Sequence, residues 1–158
     1  MDIVEKRQET EEKVETKKYL IFELGNELFG IDTMQINIIN RMTQFTRVPN
    51  MPLYIKGVFN LRGDILPVIS LRIRFDIPEG VEDANWRIVI TRFEDMLLGF
   101  IVDNVLHMID LADDQLENIA NVSDTVSQEY ISGVGKYDGK VVTILNMEKL
   151  IREMIDYM

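Results

Sequence analysis

YIKGVFNLRGDILPVISLRIRF, residues 54–75, is the stretch whose reading decides the fold. Two apolar runs, 58–61 and 65–71, flank the reversal Arg62-Gly63-Asp64. A Gly-Asp step between two β-rich runs predicts a hairpin, because glycine supplies the positive φ that a tight turn needs. Pro67 lies in the second arm and removes a ladder donor, which predicts an edge position or a bulge. One long cation, Arg62, is set into an otherwise apolar ribbon. Such a cation serves as an ion-pair partner or as a contact on a binding face. The stretch carries no nucleophile–base pair, no metal-ligand cluster and no phosphate loop. It predicts a binding module, not a catalyst.

The same texture continues on both sides. Residues 19–24 and 28–31 flank Gly25-Asn26-Glu27, which predicts a hairpin with a three-residue loop. In 33–39, apolar side chains at 34, 36 and 38 alternate with polar ones and favour a strand, although Asp32 is also suited to start a helical turn. Residues 45–52, with Pro49 and Pro52, form a loop. An acidic, turn-rich linker at 76–85 marks an approximate boundary, 76–86, between two β units. Residues 87–93 and 96–102 form the next hairpin, and 105–111 is expected to extend it. Residues 112–129 are loop-like, with one helical turn at 113–116. Asp138-Gly139 joins the last hairpin, 131–137 with 140–145. The closing helix, 146–158, has Asn146 as N-cap. Met147, Leu150, Ile151, Met154, Ile155 and Met158 then follow a 3.6-residue apolar stripe. Small sheets remove vulnerable edges by curling shut. The expected fold is therefore mainly β: two small barrels side by side, with a C-terminal α-helix.

Bulk composition narrows the function. The 158 residues carry a net charge of −10 and a pI near 4.6, which argues against a nucleic-acid partner. There is no cysteine, so disulfides and thiolate metal sites are excluded. No segment has the apolar length of a leader or a membrane span, so a cytoplasmic protein without membrane insertion is expected. Residues 1–18 are dominated by charge and predict a flexible tail.

Candidate chemical groups are sparse. His107, the single histidine, lies in an alternating strand where a structural role is expected. The serines at 70, 123, 127 and 132 form no nucleophile-elbow pattern. Asp113-Asp114 and Glu82-Asp83 lack the spacing of a calcium loop. No catalytic residue, metal site or cofactor is expected. The strand at 33–39 stands apart, because Ile36, Ile38 and Ile39 cannot share one face of a regular strand. They suit either core packing between the barrels or an apolar groove that receives a partner helix.

Several of these segments together resemble the CheW family of bacterial chemotaxis adaptors. Gly57, Val58, Asn60, Leu61, Arg62, Gly63, Ile65, Pro67, Val68 and Leu71 stand at the positions of its Gly-Val-x-Asn-Leu-Arg-Gly-x-Ile-x-Pro-Val-x-Asp-Leu pattern. Residues 22–32, 99–105, 130–135 and 144–150 are similar to other family segments, in order, from about Tyr19 to Ile151. The resemblance implies two five-stranded SH3-like β-barrels around a shared hydrophobic core. It implies a non-enzymatic protein that couples the cytoplasmic helical tips of methyl-accepting chemotaxis receptors to the regulatory domain of the histidine kinase CheA, recruited to membrane-associated arrays. Leu20, Ile36, Ile39 and Val105 would match the receptor groove, with Gly57 and Arg62 close by or supporting it from within. Ile38 stands where many relatives carry a glutamate, which would make the groove more apolar. Ser70 replaces the aspartate of the pattern. In CheA and CheV the same module is fused to other domains. Here a stand-alone adaptor is expected, serving flagellar chemotaxis or another chemosensory output such as twitching motility. A small β-barrel enzyme or ligand binder is the competing class.

Overall fold

A computed structural model describes residues 15–118, 123 and 125–156. Most of the expected N-terminal tail, and Met158 of the expected closing helix, lie outside the described residues. The elements are β1 (Thr16–Leu24), β2 (Glu27–Asp32), β3 (Ile36–Arg41), β4 (Ile55–Leu61), β5 (Asp64–Ser70), α1 (Leu71–Arg74), β6 (Arg87–Phe93), β7 (Met96–Val102), β8 (Asn104–Ala112), β9 (Ile131–Tyr137), β10 (Lys140–Leu145) and α2 (Met147–Ile155). Single 3₁₀ turns occupy Thr33–Gln35, Asp113–Gln115 and Gln128–Tyr130. β1 starts three residues before the expected Tyr19, because Thr16, Lys17 and Lys18 pair with Ala112, Leu111 and Asp110. The backbone ladder orders these polar residues without burying their side chains.

Two five-stranded sheets form, in the orders β8-β1-β2-β10-β9 and β3-β6-β7-β5-β4. Each combines a hairpin from one half of the chain with three strands from the other. The stretch 76–86 therefore lies between β5–α1 and β6 in the chain, but both barrels draw strands from both of its sides. β8 does not extend the β6–β7 hairpin as expected. β7 already has β6 on one side and β5 on the other, where Val68, Ile69 and Ser70 pair in parallel with Gly99, Phe100 and Ile101. With no free edge on β7, the chain crosses to the other sheet and β8 pairs with β1.

Both sheets close by the same device. Beyond β3, Thr46 exchanges two 2.8 Å backbone hydrogen bonds with Val58 of β4. Beyond β8, Glu117 does the same with Val134 of β9, again at 2.8 Å. The first barrel is filled by Tyr19, Ile21, Leu111, Val142 and Ile144, the second by Phe59, Leu66, Val68, Trp86, Ile88, Ile90 and Ile101. Strand alternation sends the intervening residues outward. Leu20, Phe22 and Leu24 meet Val89, Phe100 and Val102 in a third core between the barrels. Phe22 stacks on Phe29 at 5.9 Å, and Phe29 on Phe75 at 6.4 Å. Asn146 caps α2 by accepting from the Lys149 N–H at 3.1 Å, and Met147, Leu150, Ile151 and Met154 enter the same core. Each such fully buried side chain contributes about 1.5–3 kcal/mol. The two barrels thus stabilise each other.

Two turns differ from expectation by one residue. The first hairpin turns on Gly25-Asn26 alone, with Gly25 at φ +64°. The β4–β5 hairpin turns on Arg62-Gly63, with φ +52° and +92°, while Asp64 belongs to β5. Positive φ at both central residues is the geometry that matches strand twist. Asn60 Oδ1 braces the turn by accepting from the Gly63 N–H at 2.7 Å. Pro67 is on neither an edge nor a bulge of its own strand, since β5 lies between β7 and β4. Its partner Val58 uses both backbone groups on Thr46, so the Val58–Pro67 pair is a non-hydrogen-bonded one. The ladder to β7 begins only at Val68. The missing proline N–H leaves no bond unmade.

Arg72 and Asp103 tie the barrels together. Arg72, on α1, donates from Nε and Nη2 to the Asp103 carboxylate at 2.9 and 2.6 Å, and from Nη1 to the Pro78 carbonyl at 2.6 Å. Asp103, at the crossover into β8, also accepts from the Gly25 N–H of the β1–β2 turn at 2.9 Å. The hydrogen bond to Asp103 holds the Arg72 guanidinium above its ordinary value. Asp103→Ala is expected to lower stability by about 2 kcal/mol, since it orphans a half-buried cation and a turn amide. A melting curve or urea titration checks it; an unchanged midpoint would show the pair to be idle. Arg74 makes a parallel link. Its guanidinium lies over the rings of Tyr54 and Tyr130, 5.8 and 5.1 Å from their centroids, and donates to the Tyr130 hydroxyl at 3.0 Å. Tyr130 donates in turn to Glu153 of α2. Burial, with the bond to Glu153 adding to it, pushes the Tyr130 phenol up.

Candidate functional site

The candidate site is built on the two crossover strands, β3 and β8, each of which starts just after the chain leaves its hairpin. The expected strand from Thr33 does not begin there. Asp32 Oδ1 accepts from the Met34 N–H at 3.0 Å and turns Thr33–Gln35 into a 3₁₀ turn, so β3 starts at Ile36. A bulge follows. Ile36 pairs with Thr91 and Ile38 with Ile90, which leaves Asn37 as the extra residue. Regular alternation would place Ile36 with Ile38. With the bulge, Ile36 and Ile39 share the face toward the inter-barrel core, while Ile38 packs into the second barrel.

β8 repeats the arrangement. Phe22 pairs with Val105 and Ile21 with His107, so Leu106 is the extra residue. Val105 packs against the inter-barrel core, as Ile36 and Ile39 do. Met108 is opposite Leu20 and therefore on the same face, as cross-strand partners are. It is 52% exposed, whereas Leu20 beneath it is 1% exposed. Ile36, Ile39 and Val105 pack against the inter-barrel core that includes Leu20, and Met108 is the cross-strand neighbour of Leu20; these four make up the candidate apolar strip.

The expected site residues thus fall into two sets. Ile36, Ile39 and Val105 all pack against the inter-barrel core that contains Leu20. Ile38 is half-buried inside the second barrel and adds to that interior rather than to the strip. Gly57 is buried in the closing seam of the second barrel, where an added Cβ would lie 2.5 Å from the Thr46 carbonyl oxygen. Its role there is close backbone approach. Arg62 is exposed at the tip of the β4–β5 turn, and among the described residues it has no ion-pair partner. It neither sits within the ribbon nor supports the strip from inside.

Met108 was not identified from the sequence, although a signal exists. Tyr54-Ile55-Lys56-Gly57-Val58 recurs as Tyr130-Ile131-Ser132-Gly133-Val134, each run carrying the valine of a closing seam. The Ile39–Val89 pair of β3 and β6 likewise has its counterpart in the Met108–Leu20 pair of β8 and β1. Within this repeat Met108 takes the place of Ile39.

Among the described residues, no three His, Asp or Glu side chains converge to hold a metal ion. The exposed His107 ring lies against Tyr137, centroids 5.8 Å apart. Among the described residues, no helix is long and apolar enough to cross a membrane.

Comparison with known proteins gives one answer. The model of the CheW-like domain matches residues 18–154. The "Chemotaxis protein CheW" of Klebsiella aerogenes is 36% identical over 136 residues, covering 85% of this chain and 81% of that protein. The protein of the same description from Helicobacter pylori is 31% identical over 144 residues, covering 90% and 86%. The crystal structure of the scaffolding protein TtCheW from Thermoanaerobacter tengcongensis superposes with a TM-score of 0.79 at 32% identity, over 86% of this chain and 88% of that one. The family model over residues 18–154 and relatives more than 30% identical over most of their own length together show that the chain belongs to the CheW-like domain family.

Proposed function

We propose that this chain is a chemotaxis adaptor that couples the helical cytoplasmic tips of chemoreceptors to the regulatory domain of the kinase CheA, and so controls kinase activity by geometry alone. One observation carries the reading. Ile36, Ile39 and Val105 are part-exposed where they pack against the core between the barrels, Met108 is exposed beside Leu20 of that core, and an apolar surface of this kind suits the apolar face of a partner helix. Coupling needs a second surface. Ile65 and Met96 are exposed beside a hollow of about 410 Å³ that Pro67, Arg92, Asp95 and Leu97 help to line, on the second barrel. The decisive experiment measures binding of a receptor tip peptide and of the CheA regulatory domain, singly and together. A ternary complex is expected; binding of neither partner would overturn the reading.

Arg62 adds a stability test. The two-residue turn demands the positive-φ region of Arg62, at φ +52°, as other hairpin turns demand it of Glu94 and Asp138, and leaves its exposed guanidinium free to meet a partner. Asn tolerates this region better. Arg62→Asn is therefore expected to keep or raise the melting temperature, by an equivalent of up to about 1 kcal/mol, and to weaken the ternary complex. Unchanged assembly would leave Arg62 as a turn residue only.

A further inference from the structure

The strip and the turn that leads into it carry two exposed thioethers. Met108 is 52% exposed within it, and Met34 is 88% exposed on the 3₁₀ turn that leads into Ile36. By contrast Met147 and Met154 of α2 are each 1% exposed. The sequence has nine methionines and no cysteine, so thioethers are the only sulfur centres here open to two-electron oxidation. Access decides which thioether reacts, because the oxidant must reach the sulfur lone pair.

We propose that Met34 and Met108 form an oxidation-sensitive site, at which a hydroperoxide converts their thioethers to sulfoxides and weakens partner binding. In each event the sulfur lone pair attacks one oxygen of hydrogen peroxide. An S–O bond forms as the O–O bond breaks; sulfur is oxidised by two electrons and the peroxide is reduced to water. The product is a polar, strongly hydrogen-bonding group where an apolar side chain stood. Seating it under a helix then requires desolvation without a partner. Ile36, Ile39 and Val105 contain nothing oxidisable by this route, so Met34 and Met108 are the thioethers at this face; Met96, 39% exposed, lies apart from it, beside the hollow on the second barrel. The binding consequence rests on the proposed helix-binding role of the strip; the site of oxidation does not.

Intact protein treated with hydrogen peroxide, quenched, and mapped by peptide mass spectrometry tests the chemistry first. Met34 and Met108 should gain oxygen well before Met147 and Met154, and equal rates across all four would overturn the site. Affinity for a receptor tip peptide is then compared before and after treatment. A drop of about tenfold is expected. The M34L/M108L variant, whatever its starting affinity, should give the same affinity before and after peroxide. If the untreated protein binds no tip, the adaptor reading fails. If it binds and oxidation of both methionines leaves the affinity unchanged, the proposed sensitivity fails instead.

Discussion

An Ile36→Asp protein is expected to fold and to bind a receptor tip about a hundredfold more weakly than the native chain. Ile36 is half-buried, anchored at the edge of the inter-barrel core opposite Thr91 of β6. Removing its apolar surface costs the fold about 1 kcal/mol, since only part of the side chain is shielded from water. A helix laid over it changes the balance. The carboxylate would be cut off from solvent with no cation facing it, and would oppose binding by about 2–3 kcal/mol or more. Titration of the tip peptide against native and variant protein, beside melting curves of both, checks the two effects separately. A variant that melts far earlier and aggregates would show Ile36 to be a core residue; one that melts normally and binds normally would remove the strip from the binding surface.

The second large effect falls on Gly57, and there it should be on stability. In Gly57→Ala the new Cβ would meet the Thr46 carbonyl oxygen at 2.5 Å and its carbonyl carbon at 2.9 Å. Both are backbone atoms, held by the two 2.8 Å hydrogen bonds between Thr46 and Val58 that close the second barrel. No rotamer change relieves such a contact, so the seam must open or shift. A loss of about 3 kcal/mol is expected, at the upper end for added volume in a packed interior. Chemical denaturation gives the number. Native stability with reduced tip affinity would instead return Gly57 to the groove that the family resemblance implied.

Much of the fold is legible in the chain because its determinants are local. Asp138-Gly139 names its own turn, and both residues take positive φ as a two-residue hairpin requires. Asn146 caps α2, and the apolar spacing after it marks the buried stripe. The site is less legible. Leu20, Ile36, Ile39 and Val105 come from the resemblance to CheW proteins, while the residues alone left core packing and groove both open. Period-two reasoning groups Ile36 with Ile38, and one extra residue at Asn37 reverses that grouping. The bulge has no strong sequence marker, because it is set by how β3 must meet β6.

What the sequence determined by itself is therefore the set of parts: β hairpins, a closing amphipathic helix, and membership of a recognisable module. Their composition and turn chemistry act over a few residues, and need no knowledge of what lies across the sheet. Only the tertiary structure decided which hairpin each crossover strand joins, that each barrel combines both halves of the chain, and which isoleucines face the junction. Those choices depend on which strand edges are free once β5 has taken one side of β7 and β10 one side of β2. They are settled by pairing between residues far apart in the chain, which local preference cannot specify.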